Sequence, residues 1–337
     1  MTITFADLTT MRVGGPVGRL RVPETTPQLV EILRESRGSD DPLLVMGGGS
    51  NLVVGDIGWH GTVVKVASSE FDIQGDQVTA AAGAVWDDVV SASLDEGLAG
   101  LEALSGIPGS AGGTPVQNVG AFGTVTADVL ESLTVYDRQT DCLERWSPDR
   151  CGFGSHRQSV FKRSGRWVVV DVTFRLRRAS QSRSIEYVDL AKKLDIEVGG
   201  TAPPSDVRDA VLELRRSRGM VLDPEDHDTW SVGSFFVNPV LTHVPDSAAG
   251  CPRYFDVKGT KLPAAWLIEH AGFPRGYGRE WGNGTVALSS RHALAVTNRG
   301  GATAADVMKF AAHVRDGVEA HFGIRLGPEC DLVNCSF

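Results

Sequence analysis

Three residues in this chain are of types that can move a proton or hold charge. Ser234 stands in Gly233-Ser234-Phe235-Phe236. A serine between a glycine and two aromatics can sit on a strand with its hydroxyl turned into a cleft. The plainer alternative is a core strand whose serine bonds to the backbone. The setting is not a Gly-x-Ser-x-Gly elbow, which argues against a hydrolase nucleophile. Arg157, in the polar loop FGSHRQS, can hold a carboxylate through two parallel N–H groups, or can simply be solvated. Glu329 follows Gly327-Pro328 at the start of the last apolar segment; alone it reads as a surface carboxylate. His292 and Asn298, beside the run ALAVTN, read as local hydrogen-bonding residues.

Two glycine-rich stretches could hold a ligand. The longer, residues 100–123, reads GLEALSGIPGSAGGTPVQNVGAFG, with glycines too dense for a regular helix or strand. Each one opens positive φ and lets the backbone turn its N–H groups towards a ligand. Gly106, Gly109, Gly113, Gly120 and Gly123 are the permissive points, Pro108 stiffens a turn, and Ser110, Thr114, Gln117 and Asn118 add polar groups. Leu101, Leu104, Ile107, Val116, Val119 and Phe122 (the last beside Ala121) need burial, which a flexible linker would not. A flat heterocycle rich in heteroatoms would suit such a loop. The shorter stretch, Gly47-Gly48-Gly49-Ser50-Asn51, ends a buried strand, Pro42 to Met46. Converging N–H groups and a hydroxyl there make an anion nest suited to a pyrophosphate; the plainer alternative is a tight turn. It is neither a P-loop nor a Gly-x-Gly-x-x-Gly fingerprint.

The elements that must position these residues follow from periodicity. A strand-like RLRVP leads to a helix opening at Thr26-Pro27, with threonine as cap, and Leu29, Val30 and Leu33 on one face. Gly61–Val66 and Gln77–Ala82 read as strands, and Val85–Glu96 as an amphipathic helix ended by Gly97. Val129–Tyr136 and Cys142–Trp146 form a hairpin around Asp137–Thr140, and Arg166–Leu176 is a further strand. A polar connection covers 178–204. Ser205 is expected to cap the helix that ends at Gly219. Leu262–Ala271 and Thr303–Phe322 read as helices, Ala293–Asn298 as a strand, and IRLGPECDLV as a closing strand. The stripe Val307, Phe310, Ala311, Val314, Val318, Phe322 is core packing.

The 337 residues suffice for two or three domains. A net charge of −9 argues against nucleic acid or an anionic membrane as partner. No apolar run is long enough for a membrane helix, and the first ten residues do not read as a signal peptide. Five cysteines with no Cys-x-x-Cys pair point to free thiols in a reducing cytoplasm and against a structural zinc site. No metal is expected.

Taken in order, TTMRVGG, GGGSN, the long glycine loop, RQSVFK, GMVLDP, GSFFVNP, LPAAWLIEHAG, SSRHALAVTN and GPEC resemble the UDP-N-acetylenolpyruvoylglucosamine reductase family of flavoenzymes across nearly the whole chain. The resemblance implies an α+β architecture: a vanillyl-alcohol-oxidase/PCMH-type FAD-binding fold of two subdomains, 1–70 and 71–204, and a substrate-binding domain, 205–323. The terminal strand, 324–337, would return to the active site. It implies FAD, with Gly47 to Asn51 on the pyrophosphate and Gly106 to Gly123 around the flavin. NADPH would reduce the flavin, and hydride would then pass to the vinyl carbon of UDP-N-acetylglucosamine enolpyruvate, giving UDP-N-acetylmuramate for peptidoglycan. The family's catalytic positions fall on Arg157, Ser234 and Glu329. Arg157 and a protonated Glu329 would stabilise the enediolate, and Ser234 would give the proton at C2. Arg218 and Asn238 would contact the substrate's diphosphate or carboxylate. A cytoplasmic monomer is expected.

The chain departs from the family in three places. His156-Arg157 replaces a common Tyr-Arg, with one extra residue after Phe153. Arg218 stands near a common lysine. Residues 178–204, with Tyr187, fall where one subtype carries a substrate-covering loop. The competing readings are a flavin oxidase using O₂ and an inactive flavin-binding interaction module. Retention of Arg157, Ser234 and Glu329 together argues against the module, and GSFFVNP with GPEC argues against the oxidase.

Overall fold

The hydrophobic periodicity resolves into two compact units in a computed structural model that describes residues 2–154, 159–162 and 164–337. One unit comprises 18–48 and 61–217; the other comprises 1–17, 49–60 and 218–337.

The first unit carries a five-stranded antiparallel sheet in the order Cys142–Trp146, Leu130–Asp137, Trp167–Arg175, Gln77–Ala81, Phe71–Gln74. A smaller sheet places Trp59–Lys65 between Val17–Arg21 and Leu43–Met46, parallel to the latter. The helix Thr26–Glu35 lays Leu29, Val30, Ile32 and Leu33 against Val64, Val66, Tyr136, Val168 and Val170. Each fully buried leucine in it contributes roughly 1.5–3 kcal/mol. Its N-cap is Thr25, whose Oγ1 accepts from Gln28 N–H, one residue before the threonine expected from the sequence; Pro27 then lies within the first turn. A second core forms around the helix Trp86–Asp95 and the large sheet, with Trp86 edge-on to Phe174 at 5.5 Å. Gly97 closes that helix in the left-handed region, φ 73°.

The polar connection is more ordered than its composition suggests. It contains the helix Val188–Lys193, which packs Leu190 and Ala191 on Val207, Ala210 and Val211 of the following helix, Pro204–Ser217. That helix starts at Pro204, so Ser205 lies in its first turn and is not the cap. The fixed φ of proline suits the first helical position.

In the second unit the helix Ala304–Phe322 buries the predicted stripe against Ala264–His270 and the antiparallel pair Val286–Leu288 and Val296–Asn298. Thr303 caps it in a capping box with Asp306. The Asp56 carboxylate accepts from Ala304 and Ala305 N–H at 2.8 and 2.9 Å. The strand Leu52–Val54, unseen in the sequence, pairs in parallel with Asp331–Val333. This pairing brings 49–60 into the same unit as the C-terminal residues. The units therefore cut the chain differently from the 1–70, 71–204, 205–323 division suggested by the sequence. Of the expected closing strand, only Asp331–Val333 forms a regular strand; Pro328 lacks the N–H a continuous ladder needs.

Candidate functional sites in the two units

The long glycine loop belongs to the first unit and is held by its own backbone at several points. Trp86 N–H donates to Gly109 C=O at 3.1 Å, Ala111 N–H to Ala84 C=O at 2.8 Å, and Gly112 N–H to Ala82 C=O at 2.9 Å. A Cβ on Gly112 would fall 2.5 Å from Ala82 Cβ and 2.8 Å from its Cα. The loop is less irregular than expected: Glu102–Leu104 is a 3₁₀ turn, Gly113–Val116 a single helical turn, and Gly120–Ala121 pairs with Thr124–Val125.

The shorter glycine stretch meets this loop inside the same unit. A Cβ on Gly47 would lie 2.3 Å from Ser110 Oγ, and one on Gly48 3.0 Å from Gly109 Cα. Two backbones this close, both rich in glycine, offer closely spaced N–H groups of the kind that bind phosphate oxygens. Gly49, Ser50 and Asn51 continue into the second unit. Asn51 Nδ2 is buried and has no hydrogen-bond partner among the described residues. A buried donor in that condition costs about 1–3 kcal/mol unless a ligand or water meets it. Within the first unit, the paired glycine-rich backbones fit the phosphates of a dinucleotide cofactor.

Two of the polar groups offered by the loop have internal duties. Thr114 Oγ1 donates to Ala111 C=O at 2.7 Å, and Asn118 Oδ1 accepts from Ala127 N–H at 3.1 Å. Asn118 also takes a positive φ of 39°. Gln117 Oε1 accepts from Lys162 Nζ at 3.0 Å, and Ser159 Oγ donates to Val116 C=O at 2.6 Å. Ser159 and Lys162 are thereby docked on the glycine loop. Arg157 itself lies outside the described residues.

Asp87 was not singled out from sequence. It accepts from Gly106 N–H at 2.6 Å and pairs with both terminal nitrogens of Arg208 at 2.8 Å each. Burial alone would raise its carboxyl, but Arg208 and the Gly106 amide outweigh it and hold it below the usual range. An acidic residue in a helix's first turn is an ordinary dipole partner, so nothing in the local sequence marks this contact.

In the second unit, five motifs from distant parts of the chain converge. Thr10 Oγ1 donates to Ser231 C=O at 2.7 Å and Thr10 N–H to Gly49 C=O at 3.3 Å. Asp331 N–H donates to Asn51 C=O at 3.0 Å. Phe236 bridges Pro328 in antiparallel sense, flanked by Glu329 N–H to Phe235 C=O at 2.8 Å and Val237 N–H to Gly327 C=O at 3.0 Å. Phe235 N–H in turn donates to Leu294 C=O at 2.8 Å. Ser234 and Glu329 are thus brought onto adjoining strands of chain. Ser234 is partly buried and follows Gly233, φ 72°, rather than lying in a regular strand. Phe235 and Phe236 behind it are wholly buried and packed edge to face.

His292 Nδ1 accepts from Leu294 N–H at 3.0 Å, so the neutral ring carries its proton on Nε2. Burial first, then the charges of Arg218 and Arg275, lower its pKa to about 4. Arg218 stands next to the glycine Gly219, φ 66°, just past the helix Pro204–Ser217. Asn238 is exposed; its Oδ1 accepts from Ala264 N–H at 2.8 Å, capping the helix Ala264–His270. Asn298 is buried and more than a local bonder: Nδ2 donates to the carbonyls of Met11 and Arg12, both at 3.1 Å. No group of three or more histidine, cysteine, aspartate or glutamate residues with metal-binding geometry occurs among the described residues.

Fold and site together define a class first: residues 18–144 match the FAD binding domain family, so this is an FAD-dependent flavoprotein. Residues 223–333 match the C-terminal domain of UDP-N-acetylenolpyruvoylglucosamine reductase. The chain is 49% identical to the UDP-N-acetylenolpyruvoylglucosamine reductase of Mycobacterium sp. (strain MCS), covering 99% of this chain and 96% of that one. It is 48% identical to that of Thermobifida fusca (strain YX), over 96% and 95%. The crystal structure of the Thermus caldophilus reductase superposes with a TM-score of 0.68 at 25% identity, covering 99% of this chain and 98% of that one. The chain belongs to the UDP-N-acetylenolpyruvoylglucosamine reductase family.

Proposed function

We propose that this enzyme reduces the enolpyruvyl group of UDP-N-acetylglucosamine enolpyruvate to the lactyl ether, forming UDP-N-acetylmuramate in the cytoplasm as a monomer. FAD, when bound, supplies the hydride chemistry, accepting from NADPH and delivering to the terminal vinyl carbon. The remaining work falls to side chains. Charge develops on the substrate carboxylate as an enediolate, and Glu329, protonated, donates a hydrogen bond to it; Arg157 adds a second, charged donor. The enediolate is basic enough to take a proton at C2 from the Ser234 hydroxyl despite the high pKa of serine. Arg218 and Asn238 contact the diphosphate or carboxylate, Asn238 through Nδ2, since its Oδ1 serves a helix cap.

FAD is held by Gly47–Asn51 and by the loop 106–123. Within that loop, the Thr114 hydroxyl and the Asn118 Oδ1 are engaged by the loop's own backbone, and the Gln117 Oε1 by Lys162. The observation that supports the proposal is the pairing of 235–237 with 327–329, which joins the segment that follows Ser234 to the segment that holds Glu329. An anaerobic two-step spectrum tests it. NADPH bleaches the oxidised-flavin band, and the enolpyruvyl sugar nucleotide restores it. A band that returns only with air refutes the substrate and favours the oxidase reading.

A further inference from the structure

The Gly106 end of the glycine loop is tethered by one carboxylate. Gly106 takes φ 68°, in the left-handed region that glycine enters without steric cost. Its N–H donates to Asp87 Oδ1 at 2.6 Å. Arg208, its side chain only 17% exposed, grips both Asp87 oxygens in the planar two-bond geometry that fixes a carboxylate's rotation. The preceding residue reinforces the hold: Trp86 donates its backbone N–H to Gly109 C=O at 3.1 Å and its indole N–H to Leu104 C=O at 3.0 Å. Asp87 is thus the point where the start of one helix, the glycine loop and the helix Pro204–Ser217 are joined. That last helix is followed directly by Arg218.

We propose that Asp87, oriented by Arg208, is a positioning residue for the flavin: by holding the Gly106 amide it sets where the loop 106–123 presents its backbone to the cofactor. The inference rests on reading that loop as the flavin loop. It assigns Asp87 no contact with FAD. The bond from Gly106 matters through the oxygen that accepts it, whereas the bond from Arg208 matters through charge and orientation.

The test is a titration of apo-protein with FAD, followed by flavin fluorescence, together with the visible spectrum and the flavin midpoint potential of each loaded variant. Asp87→Ala is expected to weaken FAD binding by about tenfold or more and to shift the spectrum, since it removes a charge-assisted bond and frees the loop. Asp87→Asn keeps an Oδ1 acceptor for Gly106 and should recover most of the affinity. Arg208→Leu should fall between the two. If Asp87→Ala does not fold, the asparagine and leucine variants carry the test, with asparagine closer to wild type in affinity and spectrum. A lowered melting temperature of the apo-protein with wild-type FAD affinity, spectrum and potential in all variants would make the clamp merely structural and overturn the inference. A wild-type protein that takes up no FAD would refute the flavin reading itself.

Discussion

The backbone N–H of Glu329 donates to the carbonyl of Phe235, the residue that follows Ser234, at 2.8 Å. Phe235 N–H donates to Leu294 C=O, and Leu294 N–H donates to His292 Nδ1. The residue that follows Ser234 is therefore tied by backbone bonds to Glu329 and Leu294, and Phe235 and Phe236 are both wholly buried.

Ser234→Ala removes the proposed proton donor without disturbing those backbone bonds. Flavin reduction by NADPH should proceed at the wild-type rate, while product formation falls by at least about a hundredfold. Stopped-flow measurement of each half-reaction decides it. An equal loss in both would remove Ser234 from the chemistry.

The pairing with Phe235 runs through the Glu329 backbone N–H, so side-chain variants leave that bond in place. Glu329→Ala should lower product formation by about 10²–10³-fold, the usual cost of one lost transition-state donor. Glu329→Gln keeps an N–H donor and should retain more activity. A glutamine variant as slow as alanine would argue against a simple donor role.

Gly112 and Gly113 make a matched pair. Alanine at 112 drives a Cβ into the Ala82 backbone and should destabilise the apo-protein by about 1–3 kcal/mol. Alanine at 113 meets no atom closer than Ser110 Oγ at 3.7 Å, so apo stability should stay within about 1 kcal/mol of wild type. Gly113→Ala should nevertheless weaken FAD binding if the loop approaches the cofactor there. Urea unfolding and an FAD titration separate the two effects.

His292 gives stability a defined pH dependence. Its folded pKa of about 4 lies below the ordinary 6.5, so the unfolded chain binds the extra proton first on acidification. The stability is full above about 6.5 and declines as pH falls towards 4, by at most about 1.4 kcal/mol per unit. Below 4 the histidine contributes no further slope, and the lowered carboxyls of Asp87 and Asp228 take over. Urea unfolding between pH 7 and 4.5 should show the loss, and His292→Gln should flatten it. An unchanged slope in that variant would assign the acid sensitivity elsewhere.

Much of the architecture is local and was readable from residue order. The helices Thr26–Glu35, Trp86–Asp95 and Ala304–Phe322 follow from apolar spacing and end signals within a few residues. The hairpin at 130–146 follows from alternation around a turn, and both glycine-rich stretches announce close backbone approach by composition. Family membership was equally legible, because the order of short motifs is a property of sequence. What the sequence left open depended on partners far away in the chain. Leu52–Val54 is a strand only because Asp331–Val333 lies beside it. The helix Val188–Lys193 exists because Leu190 and Ala191 find an apolar face on Val207 and Val211. Asp56 caps a helix that starts 248 residues further along the chain. Asp87 looks like any first-turn acid until Gly106 and Arg208 arrive. The residue types were chosen locally, but hydrogen bonds across the chain have no sequence spacing, and only the folded backbone decided which donor met which acceptor.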